Sequence, residues 1–169
     1  HTGAEITRLT GYRAHSNHLY FTNNSFYDIG RRIVFESDRG NALNYFSLEL
    51  ETGDIEQLTD LPQLPYPGEY PLHEGFVDDM TGSCCFFYGD ILYRLSLRDK
   101  SLTPIYRIPE GYIHHVISIS HDGEYVFTSI IRSDVARSKG DLPLQKILES
   151  NPTSQIIRIP IGGGPETVV

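Results

Sequence analysis

Tryptophan is absent from the 169 residues, methionine occurs once and cysteine only twice. Two cysteines cannot supply a disulfide framework, so the fold must rest on a hydrophobic core. They are adjacent, Cys84-Cys85, and on a strand they would point to opposite faces, which argues against a bridge between them. Two free thiols suit a reducing compartment, so the expected location is cytoplasmic, with the periplasm as the alternative. Long apolar runs are missing too, which excludes a membrane-spanning helix. Cations are scarce: 14 Lys and Arg against 22 Asp and Glu leave a net charge of −8. That excludes a general nucleic-acid binder, which needs a basic face for phosphates, yet leaves room for a local basic pocket. No signal peptide is visible, although His1 is not a natural start and processing stays open.

What the chain does have is sheet-forming residues: eleven Tyr and eight Phe suit strands better than helices. Leu19 to Thr59 sets the grammar. Its extended runs are separated by turn signals at Asp28-Ile29-Gly30, Ser37-Asp38-Arg39-Gly40-Asn41 and Thr52-Gly53-Asp54. The run Arg32-Ile33-Val34-Phe35 is compact and β-branched. The next alternates Tyr45, Ser47 and Glu49 against Phe46, Leu48 and Leu50, which predicts a strand with one buried face. Four such strands joined by tight hairpins make a β-propeller blade.

The pattern recurs. Blade one spans 18–59, blade two 73–109 and blade three 112–169, with first-hairpin glycines at Gly30, Gly82 and Gly123. A proline-rich link, Leu61 to Gly68, joins the first two and cannot form a central strand. Residues 2–10, TGAEITRLT, repeat the end of blade one, TGDIEQLT, and read as an orphan fourth strand that would close a ring. The chain is therefore expected to be an all-β, partial propeller whose open blade edges favour self-association. Residues 133–153 interrupt blade three. There, Asp141 can cap a short helix over 141–150, with Pro143 in its first turn and Leu144, Ile147 and Leu148 on one face; Asn151-Pro152 ends it.

The seven histidines do not carry metal-ligand spacing. His114 and His115 are strand neighbours facing apart, and His121 belongs to the hairpin Ser120-His121-Asp122-Gly123. His15 and His18 lie in the link entering the first strand, suited either to sugar contact or to satisfaction by backbone groups. Arg39 in the hairpin 37–41 and Arg132 at the end of a blade-three strand could bind carboxylates with their forked guanidinium groups. The alternative is an ordinary turn arginine paired with Asp38 or Asp134. His73, beside Glu74, opens blade two and is a further substrate-binding candidate. No phosphate loop or nucleophile elbow is present.

The run HLYFTNNSFYDIGRRIVFESDRGNALNYFSLELETGDIEQLT, with TGAEITRLT before it, resembles the first blade of oligogalacturonate lyases. The stretches HDGEYVFTSIIRSD and NPTSQIIRIPIGGG, with the insertion between them, are similar to that family's third blade. The resemblance implies part of a seven-bladed propeller that cleaves oligogalacturonates by β-elimination in pectin catabolism, with a manganese-type divalent ion. It places the base and metal ligands in later blades, so no catalytic or metal residue and no bound cofactor is expected in this chain. An acidic oligosaccharide is the implied partner, met here by His18, Arg39, His73 and Arg132. The Phe-x-x-x-Gly-Arg-Arg and Ser-Asp-Arg-Gly block also occurs in TolB-like propellers, so a non-enzymatic protein-interaction module is the rival reading.

Overall fold

In the computed structural model, residues 2–63, 75–132 and 154–169 are described. They form three antiparallel sheets, each a meander of strands taken in chain order. Sheet A contains β1 (Ser16–His18), β2 (Phe26–Tyr27), β3 (Arg32–Ser37), β4 (Asn44–Glu49) and β5 (Ile55–Gln57). Both β1 and β2 pair with β3, so together they occupy one edge position. Sheet B runs β6 (Phe76–Asp78), β7 (Ser83–Tyr88), β8 (Ile91–Ser96) and β9 (Leu102–Arg107). Sheet C runs β10 (Tyr112–Ile119), β11 (Tyr125–Arg132), β12 (Ser154–Pro160) and β13 (Thr167–Val168). The blade grammar read from the turns is the grammar of these sheets. The expected helix over 141–150 and the candidate His73 fall outside the described residues.

The sheets pack face to face in series. One core joins A to B through Val34, Tyr45, Leu58, Val77, Cys84, Phe86 and Leu95. A second joins B to C through Cys85, Phe87, Leu92, Ile117, Val126, Ile157 and Ile159. Strand β7 feeds both. Its side chains alternate, so Cys84 and Phe86 enter the first core while Cys85 and Phe87 enter the second. A strand buried on both sides needs apolar residues on both faces, which is why the middle of this one reads Cys-Cys-Phe-Phe. The two thiols are free, as their opposed directions predicted. Burial pushes Cys85 up to about 12 and Cys84 well above its ordinary value, so neither is a ready thiolate.

Strand β4 corrects the one-faced expectation. Tyr45 is fully buried and Ser47 nearly so, while Phe46 and Leu48 are buried on the other face. Tyr and Ser disguise the buried face because each brings a polar group that finds a partner inside. Tyr27 Oη lies 2.5 Å from Ser47 Oγ, closing a polar pair within the core. Sheets A and B are also stitched by hydrogen bonds to backbone carbonyls: Val77 N donates to Asn24 O at 2.9 Å, and Asn23 Nδ2 donates to Gly75 O at 3.1 Å. Gly75 must be glycine at this seam, since a Cβ there would collide with the buried Tyr45 hydroxyl.

Residues 2–10 form no strand, and Ile6 is 94 % exposed. The sheet they would complete is not among the described residues, all three of whose sheets already have their four strand positions filled.

Two stability outcomes follow from this packing. Phe86 is fully buried and meets Tyr45 edge-on at 4.8 Å, so Phe86→Ala should lower unfolding free energy by about 3–5 kcal/mol in a denaturant titration. Ile29 sits at φ 58° in the β2–β3 turn with its side chain 91 % exposed. A β-branched residue gains nothing there and is strained, so Ile29→Asn should raise stability by roughly 1 kcal/mol in the same titration.

Candidate functional site

Strand β3 separates two chemically different ends of sheet A, about 17 Å apart along the strand. At the Arg32 end a shallow cleft is lined by Asp28, Arg31, Arg32, Glu49, Asp54 and Glu56. Its cations are already matched: Arg31 with Asp28 at 2.8 Å, Arg32 with Glu49 at 2.8 Å, and Lys100 with Glu56 at 2.5 Å. Carboxylates outnumber arginines in this cleft, which makes it a poor receptor for an anion. It is a paired surface network.

The Ser37 end is the reverse. Here the β3–β4 hairpin meets the segment leading into β1, and the contacts between them span more than twenty residues of sequence. Asp38 Oδ1 accepts the His15 backbone N–H at 2.8 Å, and Asp38 Oδ2 lies 2.8 Å from His15 Nδ1. An ionised carboxylate only accepts, so His15 Nδ1 carries the proton. Ser37 Oγ donates to His15 O at 2.6 Å. These bonds tie residues 15–16 across the hairpin like a strap. The His15 hydrogen bond holds the Asp38 carboxyl below its ordinary value.

Arg39 does not pair with the carboxylate beside it. Its Nε donates to Ser37 Oγ at 3.2 Å and its Nη2 to Ser16 Oγ at 3.4 Å. Its guanidinium carbon lies 5.2 Å from the Phe35 ring centroid, 5.1 Å from that of Phe46 and 5.8 Å from that of Tyr12. Among the described residues no Asp or Glu forms an ion pair with Arg39. Phe35 and Phe46 are cross-strand partners, so β3 and β4 build the floor and the strap contributes the outer ring. The result is a cation stabilised by ring faces, with its charge not neutralised.

His18 flanks the same floor, as the cross-strand neighbour of Phe35. Its two nitrogens are engaged. Nδ1 lies 2.7 Å from Leu19 O, which can only accept, and Nε2 lies 2.6 Å from Ser25 Oγ. Because a carbonyl oxygen only accepts, Nδ1 is the donor to Leu19 O. Arg132 is exposed at the end of β11 in sheet C, opposite Tyr112. His114 stacks on Phe87 at 3.8 Å, and Ser120 and Asp122 bond within their turn as the sequence implied. The fold thus places His18 and Arg39 beside the same residue, Phe35, but leaves Arg132 on another sheet. Tyr12 and the His15–Asp38 pair were not singled out as a unit; the adjacent Asp-Arg dipeptide suggests a local pair, and only the return of the chain at His15 breaks it.

A manganese-type ion is implied by the resemblance. The described residues do not fit one: no three His, Cys, Asp or Glu side chains come together to hold it.

No family model matches the chain. A curated protein, the oligogalacturonate lyase of Dickeya dadantii (strain 3937), is 24 % identical over 179 residues, which take in 99 % of this chain and 42 % of that protein. A solved oligogalacturonate lyase in complex with manganese superposes with a TM-score of 0.78 at 21 % identity, over 95 % of this chain and 42 % of that one. TolB from Acinetobacter baumannii also superposes, with a TM-score of 0.58 at 13 % identity over 95 % of this chain and 33 % of that one. The chain thus resembles oligogalacturonate lyase over nearly all its residues, and it spans well under half the length of the lyases it matches. Both structural likenesses are likenesses of fold, and at equal coverage the lyase is the nearer of the two.

The strap gives a pH prediction. The folded pKa of Asp38 lies below its unfolded value of about 3.9, so the strap's contribution is complete above that value and is lost as pH falls through the lower folded pKa. The His15 amide resonance should therefore titrate below the ordinary carboxylate range, and Asp38→Asn should abolish that transition. A midpoint at or above the ordinary value would contradict the geometry.

Proposed function

We propose that this chain is the substrate-contacting part of an oligogalacturonate lyase, acting with further blades to cleave short galacturonate oligomers by elimination. The observation that carries this reading is the alignment of 99 % of the chain with a curated lyase, on a fold shared with a second. Residues 2–10 would then serve as the edge strand of a blade formed elsewhere in the ring.

Elimination from a uronate removes the proton α to the carboxylate and expels the oxygen at the β position. It needs a base for that proton and positive charge or hydrogen-bond donors for the carboxylate, which gains electron density as the proton leaves. A divalent ion, where one is bound, supplies the second of these. No cluster of metal-ligating side chains forms among the described residues, and the resemblance places the base in later blades, so both are assigned to other parts of the full enzyme. What this chain supplies is recognition. Arg39 and Arg132 are suited to uronate carboxylates, and His18 shapes the surface between β1 and the Phe35–Phe46 floor. His73 is a further proposed contact. An acidic protein offering an unneutralised arginine at one sheet end accommodates an acidic ligand there and repels it elsewhere.

The test is incubation with digalacturonate and manganese, following the ultraviolet absorbance of the unsaturated product. The expected outcome is no turnover from these 169 residues and turnover from a longer chain that contains them. Turnover by the short chain would overturn the division of labour. Failure of every longer form to cleave any galacturonate oligomer would overturn the reading itself.

A further inference from the structure

Asp38 and Arg39 carry opposite charges and follow each other in the hairpin, yet they do not pair. Both Asp38 oxygens are occupied by His15, one through its backbone N–H and one through its ring. Arg39 is left with two neutral hydroxyls as partners and three aromatic rings around it. Ring faces attract a cation but do not consume its in-plane N–H groups, so the guanidinium fork keeps donors for a further acceptor. Tyr12, the outermost ring, is 69 % exposed, which leaves the rim open to solvent.

We propose that His15 is a positioning residue that diverts Asp38 from Arg39, and that Arg39 so freed on its Tyr12–Phe35–Phe46 platform binds a ligand carboxylate. The identification of that carboxylate as a uronate rests on the lyase reading above. The platform fixes the plane of the guanidinium and the two serines fix its rotation, so the ligand meets a preorganised fork. The exposed Tyr12 ring offers the apolar face of a sugar a surface to lie against. His15 and the platform thus act as one unit. With His15 gone, Asp38 loses both of these partners and, adjacent to Arg39 in sequence, becomes free to pair with it, so the site would neutralise itself.

The experiment is calorimetric titration of the chain with digalacturonate, its methyl ester, glucuronate and acetate, with melting curves confirming that each variant is folded. The wild-type chain should bind the acid and not the ester. Arg39→Lys should weaken binding about tenfold, the scale of losing one arm of a charge-assisted pair. His15→Ala should weaken it comparably, and adding Asp38→Asn to His15→Ala should restore it, because the competing carboxylate is then removed. A purely structural His15 predicts the opposite, with the double variant no better than the single. Unaltered binding in Arg39→Lys, no rescue in the double variant, or no binding of any carboxylate by the wild-type chain would each overturn the proposal. Equal binding of digalacturonate, glucuronate and acetate through Arg39 would support the carboxylate site while removing the galacturonate reading, so the two failures are distinct.

Discussion

Everything in the fold depends on strand β7 being buried on both faces. A sheet with one wet face could stand alone, but sheet B has sheets packed against both of its faces, and its central strand has no polar side to offer. Cys84 and Phe86 are committed to one neighbour, Cys85 and Phe87 to the other. A one-residue slip in the pairing of β7 with β8 would exchange these sets and empty both cores at once. The in-series packing of the three sheets, and hence the orientation of the hairpins at their ends, descends from that register.

The same stacking explains why the two ends of sheet A differ. Strand β3 is held between β1 and β4, so the turns at its two ends are carried on a fixed frame. At one end the charges are close in sequence or directly cross-strand, as in Arg31–Asp28 and Arg32–Glu49, and they pair. At the other the chain returns at residues 12–16 and its His15 takes both oxygens of Asp38, the neighbour of Arg39. Exposed ion pairs of the first kind contribute little to stability and need no special function. Arg39 rests on aromatic rings beside a carboxylate that is already engaged, and among the described residues it forms no ion pair.

Fold and function stand on different supports. Propeller-like sheets superpose on both a lyase and TolB, so architecture by itself does not choose a chemistry. The lyase reading comes from the alignment along the whole chain together with the better superposition. The Arg39 platform is compatible with that reading and has its own physical basis.

By itself the sequence determined the strands, the hairpins and the direction of the paired thiols. These are local properties: Asp and Gly set turns over four residues, and alternation is a property of neighbouring Cα–Cβ vectors. It also pointed to Arg39 and His18 as chemistry at one end of a blade. Tertiary structure decided the rest. Tyr45 and Ser47 belong to a buried face because a second sheet covers them, which no pattern within β4 could announce, since their hydroxyls make that face look wet. Asp38 belongs to His15 and not to Arg39 because the chain comes back across the hairpin from twenty-three residues away. Hydrogen-bond choice between a near partner and a distant one is settled by which geometry the packed sheets present, and that information exists only once the sheets have packed.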